Sequence, residues 1–121
     1  MLFALPVGRA SAGTRVKDWV CDYPWRDRTH QVKKLIRCAA RRWHVPGGPD
    51  EAVSVAECES HLDPGADGGG NAGVFQQNLV YWPGRADVFG FPGASAYNAR
   101  ANIIVSVRMA HRGGWGAWAC A

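Results

Sequence analysis

The chain has 121 residues, 47% apolar and 20% charged, with a formal net charge of +4 and an isoelectric point near 9.1. That length supports one packed domain and not two, and no apolar run reaches the roughly eighteen residues that a membrane-crossing helix requires. The basic balance favours polyanionic partners: nucleic acid, anionic lipid or bacterial wall polymer.

Residues 1–28 read as an irregular arm, punctuated by Pro6, Gly8, Gly13 and Pro24. Ala10-Ser11-Ala12 fits a signal-peptide cleavage pattern, but the basic leading segment is missing and Leu2 to Val7 is short for the apolar segment. The arm is therefore a signal remnant or a loose terminus, with Trp19, Tyr23 and Trp25 expected to dock it onto the body. A helix is expected from about His30 to His44, with Val32, Leu35, Ile36, Ala39 and Trp43 as its buried stripe. Nine of the fourteen Lys and Arg lie between Arg15 and Arg42. Lys33, Lys34, Arg37, Arg41 and Arg42 fall opposite that stripe, the pattern of a solvated face rather than of a base-reading helix, so no nucleic-acid partner is expected.

Pro46-Gly47-Gly48 ends this helix, and Pro49-Asp50 opens a second one running to Ser60. Positions 52, 55, 56 and 59 follow the 3.6-residue period, which puts Glu59 in line with Ala52, Val55 and Ala56 on the apolar face. An acid directed at a core must be paired, hydrogen-bonded or held neutral. Held neutral near pH 7, it can hand a proton to a leaving group. The bland alternative is an acid at the surface or hydrogen-bonded into the next turn.

The loop from His61 to Gly73 is too rich in glycine for regular structure, and Gly73 to Gln77 is an apolar segment with two amides, suited to a strand or ribbon. Tyr81-Trp82-Pro83-Gly84-Arg85 reads as a turn or the start of a short helix. A last long helix is expected from about Asn98 to Arg112, buried through Ile103, Ile104, Val105, Val107 and Ala110, and stopped by Gly113-Gly114. The predicted class is mostly all-α, with three or four helices around one core.

Cys21, Cys38, Cys58 and Cys120 form no CxxC or Cys/His cluster, so a zinc site is not expected. An even count in a small basic chain suggests two disulfides and an oxidising compartment, against four reduced, buried thiols. Three pairings are open, of which Cys21 with Cys38 and Cys58 with Cys120 is preferred. Asp63, Asp67 and Asn71 lack the alternation of a calcium loop. No metal or other cofactor is expected.

Taken together, Glu59-Ser60-His61-Leu62-Asp63-Pro64-Gly65-Ala66 followed by Gly70-Asn71-Ala72-Gly73-Val74-Phe75-Gln76 resembles the core motif of soluble-lytic-transglycosylase-type domains, the lysozyme-like enzymes that cut bacterial peptidoglycan. That motif is roughly Glu-Ser-x-x-x-Pro-x-Ala, a loop, then Gly-x-x-Gly-Leu-x-Gln; Val74 here replaces the usual Leu. Asn102-Ile103 resembles the family's Asn-Ile pair. Tyr81-Trp82-Pro83 and the Gly113-to-Trp118 tail look like the actinobacterial and phage form. Ala96-Tyr97-Asn98-Ala99-Arg100 resembles a further family motif in letters, but it directly precedes Asn102 and reads as the start of the last helix.

The resemblance covers about residues 29–121. It implies a lysozyme-like helical domain with a substrate cleft, acting on peptidoglycan glycan strands; a monomer is expected. It also implies a secreted or wall-associated protein, or a phage particle or lysis component. Glu59 matches the catalytic acid, Gln76 the cleft-lining amide, and Ser60 a hydroxyl that orients Glu59 or touches sugar; Asn102 matches the pair on the last helix. Among the aromatics, Tyr81, Trp82, Trp115 and Trp118 are candidate sugar platforms or, alternatively, core packing.

Ordinary glycosidases pair the acid with a second carboxylate. Asp63 and Asp67 are the nearest in sequence, and Asp63, directly before Pro64, reads as a turn residue. A lone acid favours the transglycosylase outcome, in which the substrate's own 6-hydroxyl attacks, over the hydrolysis performed by a muramidase. A wall-binding module without turnover is the reading from another class.

Overall fold

In the computed structural model, residues 13–26 and 29–121 are described; the cleavage-like Ala10-Ser11-Ala12 lies outside them. Four helices and one minimal hairpin follow in chain order: α1 (Thr29–Arg42), α2 (Gly48–Ser60), β1 (Asn71–Ala72), β2 (Gln77–Asn78), α3 (Trp82–Val88) and α4 (Ala99–Gly113). No helix among these residues is long and apolar enough to cross a membrane.

The packing is organised by α4. Ala99, Ala101 to Val107 and Ala110 are all buried, because from Ala101 to Val107 every side chain is small, aliphatic or uncharged and that stretch can be enclosed all round. It begins where the Asn98 side chain caps the Ala101 N–H at 3.0 Å. It ends where the Gly114 N–H meets the Ala110 carbonyl at 2.7 Å.

On one side of α4 lies α1, burying Val32, Leu35, Ile36, Ala39 and Ala40, with α2 beside it burying Ala52, Val53, Val55 and Ala56. Trp43, expected in the buried stripe, is only half-buried because it lies one turn beyond Ala39, past the helix end. On the other side, Trp82 and Ala86 from α3, with Phe89 just after it, meet Ala72, Ala96, Ala101 and Val105.

The hairpin occupies the gap between α2 and α4. Asn71 pairs with Asn78 and Ala72 with Gln77, so Gly73 to Gln76, read above as a possible strand, forms instead the turn between two short strands. Asn102, fully buried on α4, holds this turn through its side-chain amide. Its Oδ1 accepts from the Phe75 N–H at 2.9 Å, and its Nδ2 donates to the carbonyls of Ala72 (3.0 Å) and Ala96 (2.9 Å). Gly73 is required at the contact: its φ is +77°, and a Cβ there would strike the Ala96 carbonyl and the Asn102 amide.

Residues 13–26 form no helix or strand and are tied to the body by their backbone. Val16 N–H bonds Gly90 O at 3.0 Å, Arg100 donates to Val20 O (2.9 Å) and Lys17 O (2.7 Å), and Cys21 is disulfide-bonded to Cys38. Val16, Val20 and Cys21 are the buried anchors, with Tyr23 and Trp25 packed partly against the core. Trp19, expected among the docking residues, is 71% exposed; the turn over residues 18–21 faces it outward while Val20 turns in.

The basic face of α1 is solvated: Lys33, Lys34, Arg41 and Arg42 are exposed, and Arg37 pairs with Asp50 of α2. Arg42 lies 5.4 Å from the ring centres of both Trp19 and Trp43, and Arg108 lies 5.3 Å from Trp43 and 5.4 Å from Phe89. Burial, and secondly the neighbouring Arg112, lower the Arg108 pKa from its ordinary value. Stacking on aromatic faces keeps these cations ordered without carboxylate partners.

The Asn102 amide generates the first test. Asn102→Ala leaves one buried N–H and two buried carbonyls without their partner, an expected loss of about 3 kcal/mol of unfolding free energy. Urea denaturation measures it, and an unchanged midpoint would show that the hairpin does not depend on this side chain.

Candidate functional site

Where the C-terminal end of α2, the hairpin and the C-terminal tail converge, they enclose a cavity of about 340 Å³. Each wall has its own local cause. Glu59 stands in the last turn of α2, one turn beyond Val55 and Ala56. The helix stops one residue later, at Ser60, with His61 and Leu62 following in left-handed conformation. The core therefore ends there, and Glu59 is half-buried at the cavity wall instead of enclosed on the apolar face as the helical period predicts.

Ser60, on the adjacent side of the helix, is buried, and its hydroxyl donates to the Val74 carbonyl at 2.7 Å. That bond fixes the end of α2 to the hairpin turn and so sets where Glu59 emerges.

The hairpin supplies Asn71, Gln76, Gln77 and Asn78. Gln76 has a left-handed φ of 49°. Its Nε2 donates to Gly73 O (3.0 Å) and Ala66 O (3.2 Å), so its donors are committed to the glycine-rich loop. A Cβ on Gly68 would collide with the Gln76 amide oxygen, which explains a glycine there. Gln77, almost fully buried, spans the floor: its Nε2 donates to Ser106 Oγ at 2.7 Å, while its Oε1 accepts from Arg85 Nη1 at 3.0 Å.

The tail forms the opposite wall with Ala117, Trp118 and Ala119. Trp118 is held by its indole N–H on Phe75 O at 2.9 Å and by edge-on packing against Phe75 and Trp115. The Cys58–Cys120 disulfide anchors the tail to α2 at the residue before Glu59.

Of the residues picked out from the sequence, Glu59, Gln76, Tyr81 and Trp118 line this cavity. Ser60, Trp82, Asn102 and Trp115 do not. Trp82 gives its indole N–H to Ala94 O at 2.7 Å within the α3–α4 core, and Trp115 gives its own to Pro46 O at 2.9 Å while stacking on Phe75. Asp63 caps its own turn, its Oδ1 accepting from Gly65 N at 2.8 Å, and Asp67 is exposed outside the cavity. His61 lines other hollows on the far side of α2.

Glu59 is thus the one carboxylate in the lining, and Arg85 the one cation. Neither makes an ion pair among the described residues. No group of three His, Cys, Asp or Glu comes together among those residues. Larger hollows lie beside Trp25 and His61 and beside Trp19 and Arg41, but they are more open and contain neither Glu59 nor the hairpin amides.

Arg85 and Gln77 were not singled out from the sequence. Arg85 lies four residues after Tyr81, a helical neighbour, and its guanidinium sits 5.1 Å from the Tyr81 ring centre. That spacing was a readable signal. The inward turn of Gln77 follows only from the hairpin register.

In comparisons with known proteins, no family model, curated protein or solved structure matches the chain.

The disulfide beside Glu59 closes a loop with a sequence separation of 62. Replacing both Cys58 and Cys120 by Ser is expected to cost about 4 kcal/mol in the chain-entropy account and to loosen the tail wall. Thermal melting reports the first effect, and faster amide exchange at Ala117 to Ala119 than elsewhere reports the second.

Proposed function

We propose that the protein is a peptidoglycan lytic transglycosylase that cuts the bond between N-acetylmuramic acid and N-acetylglucosamine, with Glu59 as its acid and base. The observation that carries this reading is the single carboxylate in the cavity lining. Retaining glycosidases use two carboxylates about 5–5.5 Å apart, and inverting ones use two about 6.5–9.5 Å apart with water between. Asp63 is engaged with its own turn, and neither it nor Asp67 lines the cavity.

One acid suffices if the substrate supplies the nucleophile. Glu59 protonates the bridging oxygen, and the C1–O bond breaks as the sugar gains oxocarbenium character. The 6-hydroxyl of the same muramic residue then attacks C1 and returns its proton to the Glu59 carboxylate. The products are a 1,6-anhydro muramic end and a free 4-hydroxyl, and the acid is restored.

The surroundings suit a sugar chain. Tyr81 is 59% exposed and offers a flat face at the rim, Trp118 contributes to the opposite wall, and Asn71, Gln76 and Asn78 add amides. The resemblance of the Glu59-Ser60 and Gly73-to-Gln76 segments to transglycosylase motifs supports the same reading, and with it a lysozyme-like form of the helical fold. Two disulfides suit a protein working outside the reducing cytoplasm, at a cell wall or in a phage. A monomer binding one glycan strand is part of the proposal.

Glu59→Gln keeps the shape and removes the proton. Fragment release from purified sacculi is expected to fall by about 10²–10⁴-fold with thermal stability retained; lysis at the normal rate would exclude Glu59 from the chemistry. Mass spectrometry of wild-type digests is expected to find anhydro-ended fragments. Reducing ends would instead make the protein a muramidase, and a protein that pulls down sacculi but releases nothing would be a binding module.

A further inference from the structure

We infer that Arg85 forms a carboxylate-binding subsite in this cavity and selects glycan strands that carry a negative charge beside the cleaved bond. The inference rests on the glycan reading above and adds to it the charge of the substrate.

Three observations carry it. Arg85 is the one cation among the cavity-lining residues. Its partners among the described residues are neutral: the Gln77 amide oxygen at 3.0 Å and the Tyr81 ring at 5.1 Å. The group that orients it is itself rigid, since Gln77 is almost fully buried and fixed to Ser106 and to the Met109 sulfur (3.4 Å) on α4. A guanidinium has five N–H donors, and one is engaged here by a side-chain acceptor.

Other arginines have structural explanations. Arg37 pairs with Asp50, Arg100 holds the segment before α1 by two carbonyls, and Arg108 bonds Phe89 O at 3.0 Å. Arg85 is the arginine that lines the cavity containing Glu59, and the Gln77 side chain that orients it is neutral and almost fully buried. A planar donor set positioned in this way matches a carboxylate, which accepts two parallel N–H bonds. Pre-orientation on packed elements reduces the entropy lost when the ligand binds.

Muramic acid differs from glucosamine by a lactyl ether, whose carboxylate is free on peptide-stripped strands and is amide-linked to a stem peptide otherwise. Stem peptides carry carboxylates of their own. The shared chemistry is a carboxylate on the muramic substituent, and its source is separable by experiment.

Binding is measured by calorimetry in Glu59→Gln protein, which does not consume the ligand, with and without Arg85→Gln or Arg85→Lys. The probes are a peptide-free glycan tetrasaccharide with free lactyl carboxylates, the same compound with those groups converted to methylamides, a stem-bearing tetrasaccharide, and chitotetraose. Thermal melting verifies that each variant is folded. A carboxylate-bearing probe is expected to bind about tenfold to a hundredfold tighter than its neutral counterpart. Arg85→Gln is expected to erase that difference, and Arg85→Lys to restore part of it.

Preference for the peptide-free acid identifies the lactyl carboxylate as the ligand; preference for the stem-bearing compound identifies a stem carboxylate. If charged and neutral glycans bind equally, or Arg85→Gln weakens both by the same factor, the subsite is wrong while the glycan reading stands. If no glycan binds at all, the functional reading fails and the subsite falls with it.

Discussion

The structure depends most on the side-chain amide of Asn102. A hairpin with two residues in each strand has almost no ladder of its own, and isolated hairpins are marginal even when much longer. Here the turn is held by three bonds from one fully buried side chain on the most enclosed helix. Buried polar groups are expensive unless satisfied, and this one satisfies one backbone donor and two backbone acceptors. Where the turn sits determines where Phe75, Gln76 and Gln77 sit, and through them the floor and one wall of the cavity.

The second wall is assembled from the opposite end of the chain. Trp115 and Trp118 pack on Phe75, and their indole N–H groups bond Pro46 and Phe75 carbonyls. The tail thus reads the position of the same turn that Asn102 fixes. The Cys58–Cys120 bond joins it to α2 beside Glu59. Ser60 completes the arrangement by tying the end of α2 to Val74. The acid therefore belongs to a frame in which helix, hairpin and tail constrain one another, as pre-organised chemistry requires.

Charge is distributed in two different ways. On the outer face, arginines alternate with Trp19, Trp43 and Phe89, and the aromatic faces take the place of carboxylate partners. Within the cavity, one acid and one guanidinium stand among neutral amides without pairing to each other. With no ion pair between them, each is available to a ligand.

Much of this was legible beforehand. Helical periods located α1, α2 and α4 to within a residue or two, because an apolar stripe that must be buried leaves a regular trace. The preferred cysteine pairing is the one formed. Pattern alone misplaced Trp19, whose turn faces outward, and overstated the burial of Glu59, since a helical wheel has no knowledge of where the core stops. It offered Trp82, Asn102 and Trp115 as possible ligand contacts, and in the fold each side-chain N–H group donates to a backbone carbonyl. The local period thus determined which segments are helical, which faces they bury and that an acid closes the second helix. Only the tertiary structure decided that Gln77 and Arg85 line a common cavity with that acid, because hairpin register and contacts between distant segments leave no periodic trace in a chain.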